Sequence, residues 1–184
     1  MLSADSMVGA ADTTLDLAAY RDAMARFPTG VAIVTTQDEN GTPYGFTANS
    51  LCSVSLHPPL LLVCLARTAK SFPVFDRSPR FAVSILGSHH TEVAWRFAGR
   101  SPDKFGAGGF ETTAGGATVL HDALSVLECR VHSRQPAGDH VILLGEVEAV
   151  RVAGRTDPAV YFDRGFHHLD RHPPGPVGGV PAVG

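Results

Sequence analysis

Apolar residues recur along this chain with two different periods, and each change of period marks an element. Leu17, Tyr20, Met24 and Phe27 stand at steps of three, four and three. That spacing puts them on one face of a short helix, which Pro28 ends. The β-branched run Val31 to Thr36 reads as a strand, and Pro43 to Ser50 returns as a second. Asp38-Glu39-Asn40-Gly41 between them is a hairpin signal, because Asn-Gly accepts the positive φ such turns need. Leu60 to Ala66 is the longest apolar run and predicts a strand buried on both faces at the centre of a sheet. A helix is predicted over Thr68 to Asp76 despite Pro73, then a fourth strand over Arg80 to Leu86. Glu92 to Ala98 reads as a helix that buries Val93, Trp95 and Phe97.

Residues 99–117 hold six glycines and read as one long loop. Leu124 to Ser133 and His140 to Val152 are the fifth and sixth strands, with a turn at Ala137-Gly138-Asp139. Leu127, Cys129 and Val131 share one face of the fifth, and Val141, Leu143, Gly145 and Val147 face inward on the sixth. A short last strand is predicted over Ala159 to Phe162. Several connections are too short for the helices that join parallel strands. The pattern therefore implies a mainly β fold with short helices, a closed or nearly closed barrel, in a single domain over residues 14–170. Residues 1–13 are small and polar, and 171–184 are rich in proline and glycine. Both ends are expected to be disordered.

Composition narrows the function classes. The 184 residues are 44% hydrophobic and 18% charged with a net charge of −3, which gives no basic excess for nucleic acid. No apolar run approaches the roughly 18 residues of a membrane span. Cys52, Cys64 and Cys129 are widely spaced and form no CxxC pair. A disulfide framework or zinc site is not expected, and a reducing cytoplasm suits the chain. Met1 to Ala11 is neither basic nor apolar enough for a signal peptide.

The second strand is unusually rich in hydroxyl and amide groups. Thr47, Asn49 and Ser50 precede a break at Pro58-Pro59. They read either as a polar turn or as the wall of a flat, heteroatom-rich ligand. No GxGxxG or GxxxxGK[ST] is present, so a nucleotide would not be held in the Rossmann or P-loop manner. Arg67-Thr68-Ala69-Lys70-Ser71 follows the third strand with two cations at a predicted helix start. That is a phosphate site or a solvated first turn. With Thr47 to Ser50 expected on the neighbouring strand, a ring at one end and a phosphate at the other give the shape of flavin mononucleotide. Gly138-Asp139-His140 is a hairpin turn with a surface histidine, or a histidine at a barrel mouth that reaches the ligand. Tyr161 to Phe166 adds aromatics, an arginine and a glycine near the end. His167, His168 and His172 lack a carboxylate or thiolate framework, so no metal is expected, and His89-His90 reads as a polar start to a helix.

Several segments then occur in a familiar order. They are Phe27-Pro28-Thr29-Gly30-Val31, Gly45-Phe46-Thr47-Ala48-Asn49-Ser50, Ser53 to Leu60, Arg80 to Leu86, Arg96-Phe97, Asp103-Lys104-Phe105, Glu128-Cys129 and Gly138-Asp139-His140. On these the chain resembles the short flavin reductases that supply reduced flavin to two-component monooxygenases. The resemblance implies a split β-barrel and a homodimer with flavin near the subunit interface. It assigns flavin contacts to Gly45, Phe46, Thr47, Asn49, Ser50, Ala66, Arg67, Lys70, Ser71, Arg96 and Phe97. It places the nicotinamide near His140, Phe162, Arg164 and Gly165, with His140 as the candidate catalytic residue. The implied cofactors are FMN or FAD with NADH or NADPH, and the implied partner is a flavin-dependent monooxygenase. Two positions depart from the family's usual pattern: His57 stands where Asp is common, and Asp163 where Tyr is common. The alternative function is a flavin-binding electron carrier that turns over no nucleotide.

Overall fold

A computed structural model describes residues 15–169 except 102, 155 and 156, so the two expected disordered ends lie outside the described residues. The elements in chain order are α1 (Leu17–Ala25), β1 (Thr29–Gly30), β2 (Ala32–Gln37), β3 (Pro43–Ala48), β4 (Cys52–Leu56), β5 (Pro59–Ala66), α2 (Phe72–Phe75) and β6 (Arg80–Ile85). They continue with α3 (Thr91–Ala98), β7 (Phe110–Thr112), β8 (Thr118–Leu120), β9 (Ser125–Ala137), β10 (His140–Val152), β11 (Val160–Phe162) and β12 (Gly165–His167). Seven strands form one antiparallel sheet in the order β3-β2-β6-β9-β10-β5-β4. Its outermost strands, β3 and β4, are consecutive in the chain. In the link between them Ser50 Oγ accepts a hydrogen bond from the Cys64 backbone N–H on β5 at 2.9 Å. The sheet thereby curls back on itself as a split barrel, mainly β with short helices, in a single domain. No helix among the described residues is long and apolar enough to cross a membrane.

The strands alternate between two cores. Ala32 and Val34 of β2 point into the barrel with Phe46, Val63, Leu65, Phe75, Phe81 and Leu143. Val31 and Ile33 point the other way, into a second core with Leu86, Ala94, Phe97, Val119 and Val126. α3 and the long loop supply the cover of that second core. Burial on both faces explains why Val31 to Thr36 is an unbroken buried run.

Five expectations change. β5 is apolar on both faces but lies next to the sheet edge, between β10 and β4. Its Leu61, Val63 and Leu65 are buried, while Leu60, Leu62 and Cys64 on the other face stay half-buried. The polar stretch of β3 pairs with β2 rather than β5, and Ser50 just beyond it hydrogen-bonds to β5. The helix predicted over Thr68 to Asp76 shrinks to the four residues of α2, because Pro73 tolerates only the first helical turn. Trp95 is 53% exposed, since the buried stripe of α3 runs through Val93, Ala94 and Phe97. The long loop also carries the β7–β8 hairpin, in strands too short to show a period. α1 forms as predicted but buries none of its residues; Leu17, Tyr20 and Met24 are each more than half exposed.

A side-chain tie fastens the start of α3. The Gly87 backbone N–H donates to His90 Nδ1 at 3.1 Å, so the hydrogen of neutral His90 sits on Nε2. From there it donates to Asp122 Oδ1 at 2.8 Å, and His89 Nε2 donates to Oδ2 at 3.0 Å. That tautomer leaves His90 Nε2 without the lone pair a metal ion would need. The bond from His90 is the main force holding the Asp122 carboxyl down to about 2, helped by His89 and opposed by partial burial. Asp122 binds its proton more weakly folded than unfolded, so its stabilising share is full above its ordinary value of 3.8 and disappears as pH falls from there towards 2. Asp122→Asn should lower stability at neutral pH by no more than about 1 kcal/mol, because the carboxylate is partly exposed. It should also flatten the acid limb of a melting-temperature profile, and an acid limb identical to that of the parent chain would count against the tie.

Candidate functional site

The site forms where β5 ends beside the β9–β10 turn. Gly138 has φ +60°, which suits the first position of a two-residue hairpin loop. The loop sets His140 opposite Ala66, and the Arg67 backbone N–H donates to Asp139 O at 3.0 Å. Gly138-Asp139-His140 and the Arg67–Ser71 turn, far apart in sequence, are thus adjacent. Asp139 Oδ1 lies 2.7 Å from His140 Nδ1. An ionised carboxylate only accepts, so Nδ1 carries the hydrogen, and neutral His140 keeps Nε2 as an acceptor. The same bond from His140 lowers the pKa of Asp139.

Arg67 and Lys70 are exposed at this turn, and Ser71 is buried at 6% exposure. The Ser71 hydroxyl has no hydrogen-bond partner among the described residues. A four-residue helix contributes little dipole, so any attraction of this turn for an anion rests on its cations. Lys70 Nζ donates to Arg100 O at 3.0 Å. Lys104 Nζ donates to Phe97 O at 2.6 Å and Gly45 O at 3.4 Å. Burial, then the charge of Lys70, lowers the Lys104 pKa. Lys104 belongs to this cationic group, and the sequence reading gave it no role. A lone lysine in a glycine-rich loop carries no spacing signal.

The β3 stretch is a wall of a different kind from the one its composition suggested. α3 lies directly on it. A Cβ on Gly45 would stand 2.8 Å from Phe97 Cε1 and 3.0 Å from Val34 O, so only glycine admits the helix this closely. Thr47 Oγ1 donates to Ala94 O at 2.6 Å. Phe46 packs in the barrel core edge-on to Phe75, with ring centroids 5.2 Å apart. Phe97 is 1% exposed, between Phe105 and Phe110 at 4.9 and 5.2 Å. The side chains of Phe46, Thr47, Ser50 and Phe97 are therefore engaged in the fold. What this segment can offer a ligand is main chain, together with exposed Asn49. Arg96 Nε on α3 is buried and has no partner among the described residues.

The remaining sequence-predicted residues sit on a second support. β11 and β12 form a hairpin that pairs with β1 outside the seven-stranded sheet. Phe162 and Gly165 flank its two-residue turn, whose Asp163 and Arg164 both have positive φ, 45° and 63°. Without the usual Asn-Gly, the turn and β12 carried no sequence signal. Arg164 is ion-paired with Asp22 of α1, which raises its pKa. His140 and this hairpin are thus held by different parts of the framework.

The profile of the flavin reductase-like domain matches residues 24–170. The chain belongs to that family. Among relatives, the actinorhodin polyketide dimerase of Streptomyces coelicolor is 60% identical over 154 residues, covering 84% of this chain and 87% of that protein. The NADH-dependent FMN reductase RutF of Methylorubrum populi is 39% identical over 178 residues, covering 92% of this chain and 88% of its own. Among solved structures, the Streptomyces globisporus NADH:FAD oxidoreductase SgcE6, in complex with NAD and FAD fragments, superposes with a TM-score of 0.80 at 34% identity. It covers 84% of this chain and 93% of that one. The residues present fit a flavin: the turn after β5 offers the cations Arg67 and Lys70 with Ser71, Lys104 lies close enough to Lys70 to feel its charge, and Arg96 Nε on α3 is buried with no partner among the described residues.

Proposed function

We propose that the chain is an NADH:flavin oxidoreductase that moves hydride from nicotinamide C4 to flavin N5 and hands the reduced flavin to a partner monooxygenase in the cytoplasm. Membership of the flavin reductase-like family carries this reading. NADH is the proposed donor because both named reductases use it; they differ over FMN and FAD. Arg67, Lys70 and Ser71 hold the flavin phosphate, with Lys104 adding charge. The main chain of Gly45 to Ser50, with Ala66, Arg96 and the backbone at Phe97, lines the ring. Backbone donors there favour negative charge gathering on the ring. His140, fixed by Asp139, offers Nε2 to the amide of the nicotinamide, while Phe162, Arg164 and Gly165 bound the nucleotide's other side. These residues align the two rings, and the protein's contribution to rate is that alignment.

The unpaired outer face of β5 and β4 supports a homodimer. Leu60 and Leu62 on that face are only half-buried, next to Cys52 and Ser55 of the edge strand β4. A second chain covering that face explains why β5 is apolar on both sides. The identity to a protein named for polyketide dimerisation favours a polyketide as the partner's substrate.

The test is loss of the nicotinamide absorbance band with NADH or NADPH, with and without FMN, FAD or riboflavin. Oxidation that depends on added flavin supports the reading. Flavin binding without oxidation by any pairing would move the chain to the electron-carrier alternative. Lys70→Ala should weaken FMN binding about tenfold, the worth of one charge-assisted contact, and reduce its salt dependence. Riboflavin, which lacks the phosphate, should bind as before; an equal loss for riboflavin would refute the phosphate role.

A further inference from the structure

We propose that Trp95 is a positioning residue for the nicotinamide nucleotide, gripping the β11–β12 hairpin from the flavin-side helix and lending its exposed face to the nucleotide. The inference rests on the reading above that the Phe162–Gly165 turn meets that nucleotide.

α3 belongs to the barrel frame. Thr47 Oγ1 holds Ala94 O, and Lys104 bridges Phe97 O to Gly45 O. The same helix carries Arg96, whose buried Nε awaits a partner. The β11–β12 hairpin lies outside that frame. Its base is tied by the Ala159 backbone N–H to Leu86 O at 2.9 Å, and β11 pairs with the two residues of β1. Its turn is held by the Asp163 backbone N–H to Ala25 O at 2.8 Å and by Arg164 to Asp22. Both turn contacts go to α1, which itself buries nothing. Trp95 supplies the link from α3. Its ring meets Phe166 at 5.4 Å and Tyr161 at 6.2 Å, both edge-on, the arrangement aromatic pairs prefer.

Trp95 is nonetheless 53% exposed, and Phe162 at the turn is 37% exposed. An indole fixed by two rings yet open to solvent is a rigid stacking surface for a flat heterocycle. Hydride transfer requires the reacting atoms to meet within about 3.5 Å, so the spacing between the hairpin and α3 matters directly to the reaction. Trp95 sets that spacing.

Trp95→Ala should raise KM for NADH about tenfold, the worth of two aromatic contacts, while the flavin Kd stays within about twofold. Trp95→Phe keeps a ring and should recover most of the loss. Trp95 is the chain's only tryptophan. Its emission should therefore change on titration with NAD+, saturating with nucleotide and not with flavin phosphate. An unchanged KM in Trp95→Ala overturns the proposal, as does an emission indifferent to saturating nucleotide. Equal losses of flavin and nucleotide affinity also overturn it, because they mark a residue that only holds the fold. A parent chain that oxidises no nucleotide with any flavin refutes the underlying reading instead, and the emission titration reports nucleotide binding independently of turnover.

Discussion

Phe97→Ala is expected to destabilise the chain by about 3–5 kcal/mol, the usual cost of emptying a large buried aromatic site. Phe97 is 1% exposed and touches both rings that the long loop sends inward, Phe105 and Phe110. Losing it leaves a cavity at the point where α3, the loop and β3 meet. The melting temperature should fall by roughly 10 °C or more for a domain of this size. Flavin affinity should fall with it, because Arg96 and the Lys104 contact to Phe97 O depend on the seat of α3. The mechanism has a sharper check. Gly45→Ala should be costly in the parent chain, where the new Cβ would stand 2.8 Å from Phe97 Cε1. In the Phe97→Ala background that ring is gone, and only the contact to Val34 O remains. The two substitutions should therefore cost less together than their sum, by a margin that neighbours in contact commonly show. Strict additivity would mean that α3 does not owe its position to this packing.

Gly145→Val should destabilise the barrel by about 3 kcal/mol, at the upper end of ordinary overpacking. Gly145 lies in mid-β10, where the register against β9 shifts between Leu144 and Gly145. A Cβ there would stand 2.8 Å from Phe81 Cε1 and 2.9 Å from Cys129 Cβ. Phe81 is 3% exposed, and Cys129 is 1% exposed with its thiol pushed up to about 12, chiefly by burial. Neither neighbour has room to retreat, because interiors are close-packed. Thermal denaturation followed by far-UV circular dichroism reads the effect. A shift of less than about 2 °C would show that the strands part easily at the bulge.

Much of this architecture was legible in the order of residues. Strands appeared where β-branched and apolar residues recur, as at Val31 to Thr36 and His140 to Val152. Asn40-Gly41 and Gly138-Asp139 announced their turns, since glycine is the residue that positive φ favours. The cations and hydroxyl of Arg67, Lys70 and Ser71 and the Gly138-Asp139-His140 segment stood out in the sequence, and the fold brings these residues to one end of the barrel. What was missed had no local signature. The turn at Asp163-Arg164 adopts positive φ without glycine or asparagine. β7, β8 and β12 have three residues each, too few to show a period.

The chain by itself determined the strand-rich class, the β2–β3 and β9–β10 hairpins and the chemical inventory of the candidate site, because side-chain period and turn chemistry are local properties. Tertiary structure alone decided what those groups do. Thr47 and Ser50 read from their hydroxyls as a polar turn or a ligand wall, and the folded chain engages those hydroxyls with Ala94 O and the Cys64 backbone. Trp95 read as core, yet the helix phase leaves it half exposed against Tyr161 and Phe166. Lys104 belonged to a family-like segment but had no assigned role, yet it sits half-buried between α3 and β3. A polar or aromatic group is committed by whichever partner comes within reach, and that partner is set by contacts between residues distant in sequence.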